Sequence, residues 1–190
     1  MPLHNHYWFL RHGLTTWNHP DLVYPPDNRT SVKLSPEGVK QIEAAAESLK
    51  QAKIDLIFAS PFERTKETAE IVARTLSLPI NFDERLVDIN LGVYHGGPKT
   101  DFYRDFSPLS KVLEQAPRGG ENWNEIKARV RSFLQEVEQK HHNQNILIIG
   151  HGDPLWLLMG EMKGLAPVAL VDLDFVKENY FRKGELRKIN

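Results

Sequence analysis

Strands alternating with helices along the chain predict an α/β fold: a three-layer α/β/α sandwich around a mostly parallel central sheet. Three observations carry that expectation. Short apolar runs at Tyr7–Leu10, Ile54–Ala59 and Ile146–Ile149 have the length of buried strands. Apolar residues at helical spacing fill the stretches between them. No repeat, low-complexity tract or linker divides the 190 residues, which are read as one domain spanning 1–190.

The elements follow in order. Tyr7 to Leu10 forms the first strand and runs into Arg11-His12-Gly13, where Gly13 permits a sharp turn. His19 to Arg29, with Pro20, Pro25 and Pro26, reads as a loop. Ser35 as N-cap and Pro36 at the first helical position open a helix with Val39, Ile42, Ala46 and Leu49 on one face. Ile54 to Ala59 is the second strand. Ser60 and Glu63 then have the spacing of a capping box for a helix to about Leu76, with Phe62, Ala69, Val72 and Leu76 on its buried side. Leu78 to Phe82 reads as a short third strand.

Residues 83–123, rich in glycine and proline, form an irregular segment expected to cover the substrate. A helix over Trp123–Lys140 presents Ile126, Val130, Phe133 and Val137 on one face. Asn145–Gly150 carries the strongest strand signal. Asp153-Pro154 reads as the cap and first position of a helix to about Lys163. Val168–Val176 and Tyr180–Ile189 are expected as two closing strands.

Composition narrows the function. A net charge of -1 gives no reason to expect nucleic acid or a membrane surface as a partner. No apolar run is long enough to span a bilayer. The absence of cysteine excludes disulfides, thiolate catalysis and cysteine-ligated metals. Met1 to His6 lacks the pattern of a signal peptide, so a cytoplasmic location is the expectation. His4-Asn5-His6 reads as a polar lead into a strand rather than a metal pair. His95, His141 and His142 match no motif and read as surface residues. No metal and no cofactor are expected.

The chemistry gathers at strand ends. His12 follows the first strand, Arg64 lies one turn into the helix after the second, and His151 follows the fourth. Open α/β sheets bind ligands at the carboxyl ends of their strands. Arg11 adds a guanidinium whose fork matches phosphate oxygens.

The run Arg11-His12-Gly13-Leu14-Thr15-Thr16-Trp17-Asn18 resembles the first signature of the histidine phosphatase superfamily, whose best-known member is phosphoglycerate mutase. Ser60 to Ala69 resembles the second signature and Gly150-His151-Gly152 the third. Pro117-Arg118-Gly119-Gly120-Glu121 resembles the family's Pro-Gly-Gly-Glu turn before a helix. These matches run from Phe9 to about Leu158 in the family's order. The resemblance implies a phosphoglycerate mutase-like fold in which His12 carries the phosphoryl group covalently. It implies that Arg11, Arg64 and His151 grip the phosphate, that Asn18 donates to it, and that Thr15 forms the turn. Glu121 reads equally as a helix N-terminal carboxylate or as a contact of the site.

One piece departs from the family pattern. Its usual Leu-x-Glu proton donor is here Leu86-Val87-Asp88, and Asp is shorter by one methylene, about 1.5 Å of reach. Tyr94-His95-Gly96-Gly97 stands where Trp-Glu-Gly is usual. The function expected is a phosphomonoester hydrolase acting through a phosphohistidine on a small phosphorylated metabolite, with Asp88 as acid. A phosphoglycerate mutase-type phosphotransferase is one alternative, disfavoured because the mutases it resembles are longer. A phosphate-binding protein that lost turnover through Asp88 is another. Phe102, Tyr103, Arg104, Phe106, Lys111, Arg118 and Trp123 are expected to overhang the pocket and would suit a ligand with an apolar or ring portion. The oligomeric state is not legible.

Overall fold

The computed structural model describes residues 3–190; Met1 and Pro2, the start of the stretch read for a signal peptide, lie outside the described residues. Its sheet comprises β1 (His6–Arg11), β2 (Leu56–Ala59), β3 (Ile80–Phe82), β4 (Asn145–Gly150) and β5 (Leu186–Lys188), in the order β3-β2-β4-β1-β5. The first four are parallel, and β5 pairs antiparallel with β1 at the edge. Around them lie α1 (Asn28–Ser31), α2 (Pro36–Leu49), α3 (Glu63–Leu76), α4 (Lys99–Asp105), α5 (Trp123–Lys140), α6 (Gly152–Lys163), α7 (Pro167–Leu170) and α8 (Leu173–Asn179).

Strand alternation produces the layers, because successive side chains point to opposite faces. Tyr7, Phe9, Ile146 and Ile148 pack on one face with Ile126, Val130 and Phe133 of α5 and Trp156 of α6. Leu10, Ile57, Leu147 and Ile149 pack on the other with Ile42 and Ala46 of α2 and Ala69 and Val72 of α3. Both faces of β4 are therefore buried, which explains its unbroken apolar run. Burying one such side chain stabilises the fold by ~1.5–3 kcal/mol. No helix of the described residues is long and apolar enough to cross a membrane.

Several local readings are corrected. Val168–Val176 falls in two short helices rather than a strand: Pro167 opens α7, and the Asp172 side chain caps α8 by accepting from the Phe175 N–H. A short apolar run does not distinguish the two states by itself. Within Tyr180–Ile189 only Leu186–Lys188 is strand, since Gly184 takes a positive φ of 75° and its N–H turns to the His12 carbonyl. The residue before α3 is Phe62 rather than Ser60, and the residue before α6 is His151 rather than Asp153, so neither expected cap forms. Residues 83–123 hold α4 and several single turns rather than being irregular throughout. Gly13 lies outside the left-handed region. Its need is room, because a Cβ there would stand 2.6 Å from the Gly38 carbonyl oxygen where the loop after β1 crosses the start of α2.

Sheet register sets the site. Arg11 pairs with Gly150 and Ala59 with Ile149, so β1, β4 and β2 end at one level. The ladder continues one step further: His12 N–H donates to the Gly150 carbonyl and Ser60 N–H to the Ile149 carbonyl. The residues that follow these three central strands are thereby brought side by side.

Candidate active site

His12, Arg64 and His151 are wholly buried at this strand end, and the two imidazole centroids lie 5.4 Å apart. The His12 Nδ1–H donates to the Gly13 carbonyl at 2.9 Å, which leaves Nε2 as the lone-pair nitrogen of the neutral ring. His151 Nε2 meets Ser60 Oγ at 2.8 Å. Arg64 donates through Nη1 to the Asn28 carbonyl and side chain, at 2.9 and 3.1 Å. Its guanidinium lies over the Tyr24 ring, 4.6 Å from the centroid. Arg11 donates through Nη1 to the Phe181 carbonyl at 2.7 Å.

Four polar atoms here have no partner: Arg11 Nε, His12 Nε2, Arg64 Nε and His151 Nδ1. Among the described residues the only other buried side-chain nitrogen or oxygen so left is Trp17 Nε1. An unmet buried polar group costs ~1–3 kcal/mol, so four in one place mark a site shaped for something polar.

Both rings are held well below the usual histidine range. Burial is the largest cause for each; Arg64, His151 and Arg11 add to it for His12, and Arg64, Arg11 and Arg129 for His151. A neutral imidazole with a free Nε2 is a nucleophile, and the permanent positive charge around it comes from the arginines. A pH dependence of stability follows. The unfolded chain binds more protons than the folded one once pH falls below about 6.5, so stability drops there by ~1.4 kcal/mol per pH unit per histidine. Asp153, pushed up from 3.8 to about 6 by burial and then by facing Asp88, acts oppositely and offsets one histidine between those values. Urea denaturation should therefore show stability falling steadily as pH drops below about 6.5. Stability that is flat or rising on acidification to about pH 5 would contradict neutral buried histidines.

Asp88 is the carboxylate nearest this centre. Its Oδ2 accepts from Arg64 Nη2 at 2.8 Å and lies 3.5 Å from His151 Nδ1, and Oδ1 accepts from the Ile89 N–H. The segment that carries Asp88 is held by a network of hydrogen bonds. Arg129 donates to the Arg85 carbonyl and forms a two-point pair with Glu121, and Glu121 accepts from the Asn90 N–H. Glu121 thus braces the Asp88 segment. The helix start is capped instead by Asn122 and Glu125.

A cavity of about 1100 Å³ opens over the site, lined by Arg11, Thr15, Asn18, Asp88 and Asp153 among others. Asn18 is exposed at its wall, whereas Thr15 is buried and meets Tyr24 Oη at 3.3 Å. His12, His151 and Arg64 lie behind that lining, and Asp88, which pairs with Arg64 and lies 3.5 Å from His151, is part of it. Of the residues expected to overhang it, Phe102, Tyr103 and Trp123 line the wall; Arg104, Phe106, Lys111 and Arg118 do not. His95, read as a surface residue, also lines it and is partly buried. Its Nδ1–H donates to the Tyr24 carbonyl and its Nε2 accepts from the Leu91 N–H. His141 is partly buried against Phe58, and His142 is exposed. Sequence reasoning missed Ser60, Arg129, Asp153 and Tyr180. Only Ser60 carried a signal, its place at a strand end, and that was absorbed by the capping-box reading.

The model of the histidine phosphatase superfamily (branch 1) matches residues 7–179. Phosphoserine phosphatase 1 of Hydrogenobacter thermophilus is 30% identical over 158 residues, 77% of this chain and 70% of that protein. An uncharacterized phosphatase of Bacillus subtilis, PhoE, is 29% identical over 184 residues, 90% of this chain and 89% of its own length. In fold, the chain is similar to the mycobacterial glucosyl-3-phosphoglycerate phosphatase, with a TM-score of 0.81 at 22% identity over 96% of this chain and 88% of that one. With the site formed by the same three strand ends that carry the signatures, the chain is an enzyme of the histidine phosphatase superfamily, branch 1.

Proposed function

We propose that the chain hydrolyses phosphate monoesters through a phosphohistidine on His12. One observation carries this reading: four unpartnered nitrogens, from Arg11, His12, Arg64 and His151, converge where the strands end. A phosphoryl group supplies the acceptor oxygens and the electrophile that such a set requires.

In the first step His12 Nε2 attacks phosphorus in line with the ester bond. The N–P bond forms, the P–O bond breaks, and the electron pair leaves with the alcohol oxygen. Arg11, Arg64 and His151 hold the three equatorial oxygens, and Asn18 donates from the outer side. Arg64 now pairs with Asp88; an entering dianion takes that place and leaves the carboxyl beside negative charge, where its protonated form fits. Asp88 gives this proton to the leaving oxygen. Water then attacks the phosphohistidine, Asp88 takes its proton, and phosphate departs with His12 restored. The acid and base roles fall to one carboxyl in turn.

The substrate read from the walls is a small phosphorylated metabolite whose alcohol portion has an apolar or ring part. Phe102, Tyr103, Trp123 and Leu109 face a volume of about 1100 Å³, slightly above the ~300–1,000 Å³ common for small-molecule sites. Assays of p-nitrophenyl phosphate and 3-phosphoglycerate in the presence of EDTA test the reading. Phosphate release at an undiminished rate is expected, because arginines supply the charge. Isomerisation of 3-phosphoglycerate would favour a mutase, and binding without turnover a phosphate-binding protein. Activity lost to EDTA and restored by a divalent ion would overturn the metal-independent mechanism.

A further inference from the structure

Asp153 is the second residue of α6, where a carboxylate ordinarily turns back onto free backbone N–H groups. This one does not. Its Oδ1 accepts from Tyr180 Oη at 2.9 Å, and Oδ2 meets no donor among the described residues. The pair is built for this position. A Cβ on Gly152 would lie 2.1 Å from Tyr180 Oη, so the glycine makes room for the tyrosine. The Tyr180 ring in turn lies 5.6 Å from the Arg11 guanidinium. Asp153 keeps an edge open to the cavity, two residues beyond His151. The charged and titratable groups facing it are Arg11, Asp88, Glu121, Tyr103 and Tyr180.

We infer that Asp153, oriented by Tyr180, is a specificity-determining residue that accepts a hydrogen bond from a hydroxyl or ammonium group on the alcohol portion of the substrate, next to the ester oxygen. The inference rests on the phosphomonoesterase reading above. Its physical basis is a fixed, half-satisfied carboxylate at the edge of an anion site. Burial and Asp88 push its carboxyl up to about 6, so above that pH it presents a charged acceptor. Such a group favours a donor and repels a second anion at the same point. A substrate lacking the donor leaves the acceptor desolvated and unmet.

The test compares 2-hydroxyethyl, 2-aminoethyl and ethyl phosphate, which differ in the donor alone. Relative kcat/KM is measured in the parent protein, and relative affinity by calorimetry in His12→Ala, where turnover does not intervene. Donor-bearing esters should be favoured over ethyl phosphate by ~10-fold or more, and Asp153→Ala should bring the ratio close to unity. Asp153→Asn keeps an oxygen for Tyr180 and removes the charge; a larger loss for 2-aminoethyl than for 2-hydroxyethyl phosphate identifies an ammonium as the preferred donor, and equal losses a hydroxyl. A residue that merely anchors Tyr180 would leave these ratios unchanged. Equal affinities in the parent, or a preference that survives Asp153→Ala, would overturn the inference. Selective binding without hydrolysis of any ester would instead sink the phosphatase reading and leave Asp153 standing.

Discussion

His12→Ala is expected to lower kcat on p-nitrophenyl phosphate by at least ~10⁴-fold, the scale on which loss of a nucleophile is felt while the binding groups remain. The substitution removes a ring whose only hydrogen bond is to the neighbouring Gly13 carbonyl, so it strands no distant partner. It leaves Arg11, Arg64 and His151 in place. The variant should therefore still bind phosphate while failing to turn over. Circular dichroism and thermal denaturation alongside the kinetics separate chemistry from folding. A rate within about 10-fold of the parent, with the fold intact, would rule out attack by His12.

Asp88→Asn is expected to divide substrates by leaving group. Nitrophenolate leaves unaided, whereas an alkoxide is strongly basic and needs a proton. The variant should slow alkyl phosphates by ~10²-fold or more relative to p-nitrophenyl phosphate. The asparagine oxygen can accept from only one of Arg64 and the Ile89 N–H, and buried Arg64 loses its carboxylate partner, so thermal denaturation is run beside the kinetics and the ratio between the two substrates is the readout. Asp88→Glu extends the reach by about 1.5 Å and tests whether the native carboxyl stands too far from the ester oxygen. Faster alkyl hydrolysis in that variant would show that it does. An equal loss on both substrates in Asp88→Asn would assign Asp88 to positioning or to the dephosphorylation step. No loss on alkyl esters would remove it from the mechanism.

Much of the fold and the centre of the site are legible in the residues, for identifiable reasons. Ile146–Ile149 announces a central strand because β4 is buried on both faces, and α5 is found at Trp123–Lys140 because its apolar stripe is regular. His12, Arg64 and His151 stand out because each sits at a strand end within a recognisable run. Elsewhere a valid local rule points the wrong way. Ser60 and Glu63 have capping-box spacing, yet Ser60 Oγ turns to His151. Asp153-Pro154 looks like a helix start, yet the aspartate faces the cavity. Tyr24 and Asn28, which flank Arg64, come from a proline-rich stretch with no periodicity to read. Tyr180 arrives through two short helices where strands were expected. The segment around Asp88 is braced by Arg129 and Glu121, distant partners that no local pattern connects.

The most direct test of a covalent phosphohistidine is to capture it. The intact enzyme is mixed with ³²P-labelled p-nitrophenyl phosphate and quenched in base within milliseconds. The protein is then digested and the label mapped. Acid-labile, base-stable phosphate on the peptide containing His12, absent from His12→Ala, is the expected result. Steady turnover with no label on His12 at any quench time, or label on a different side chain, would contradict the account.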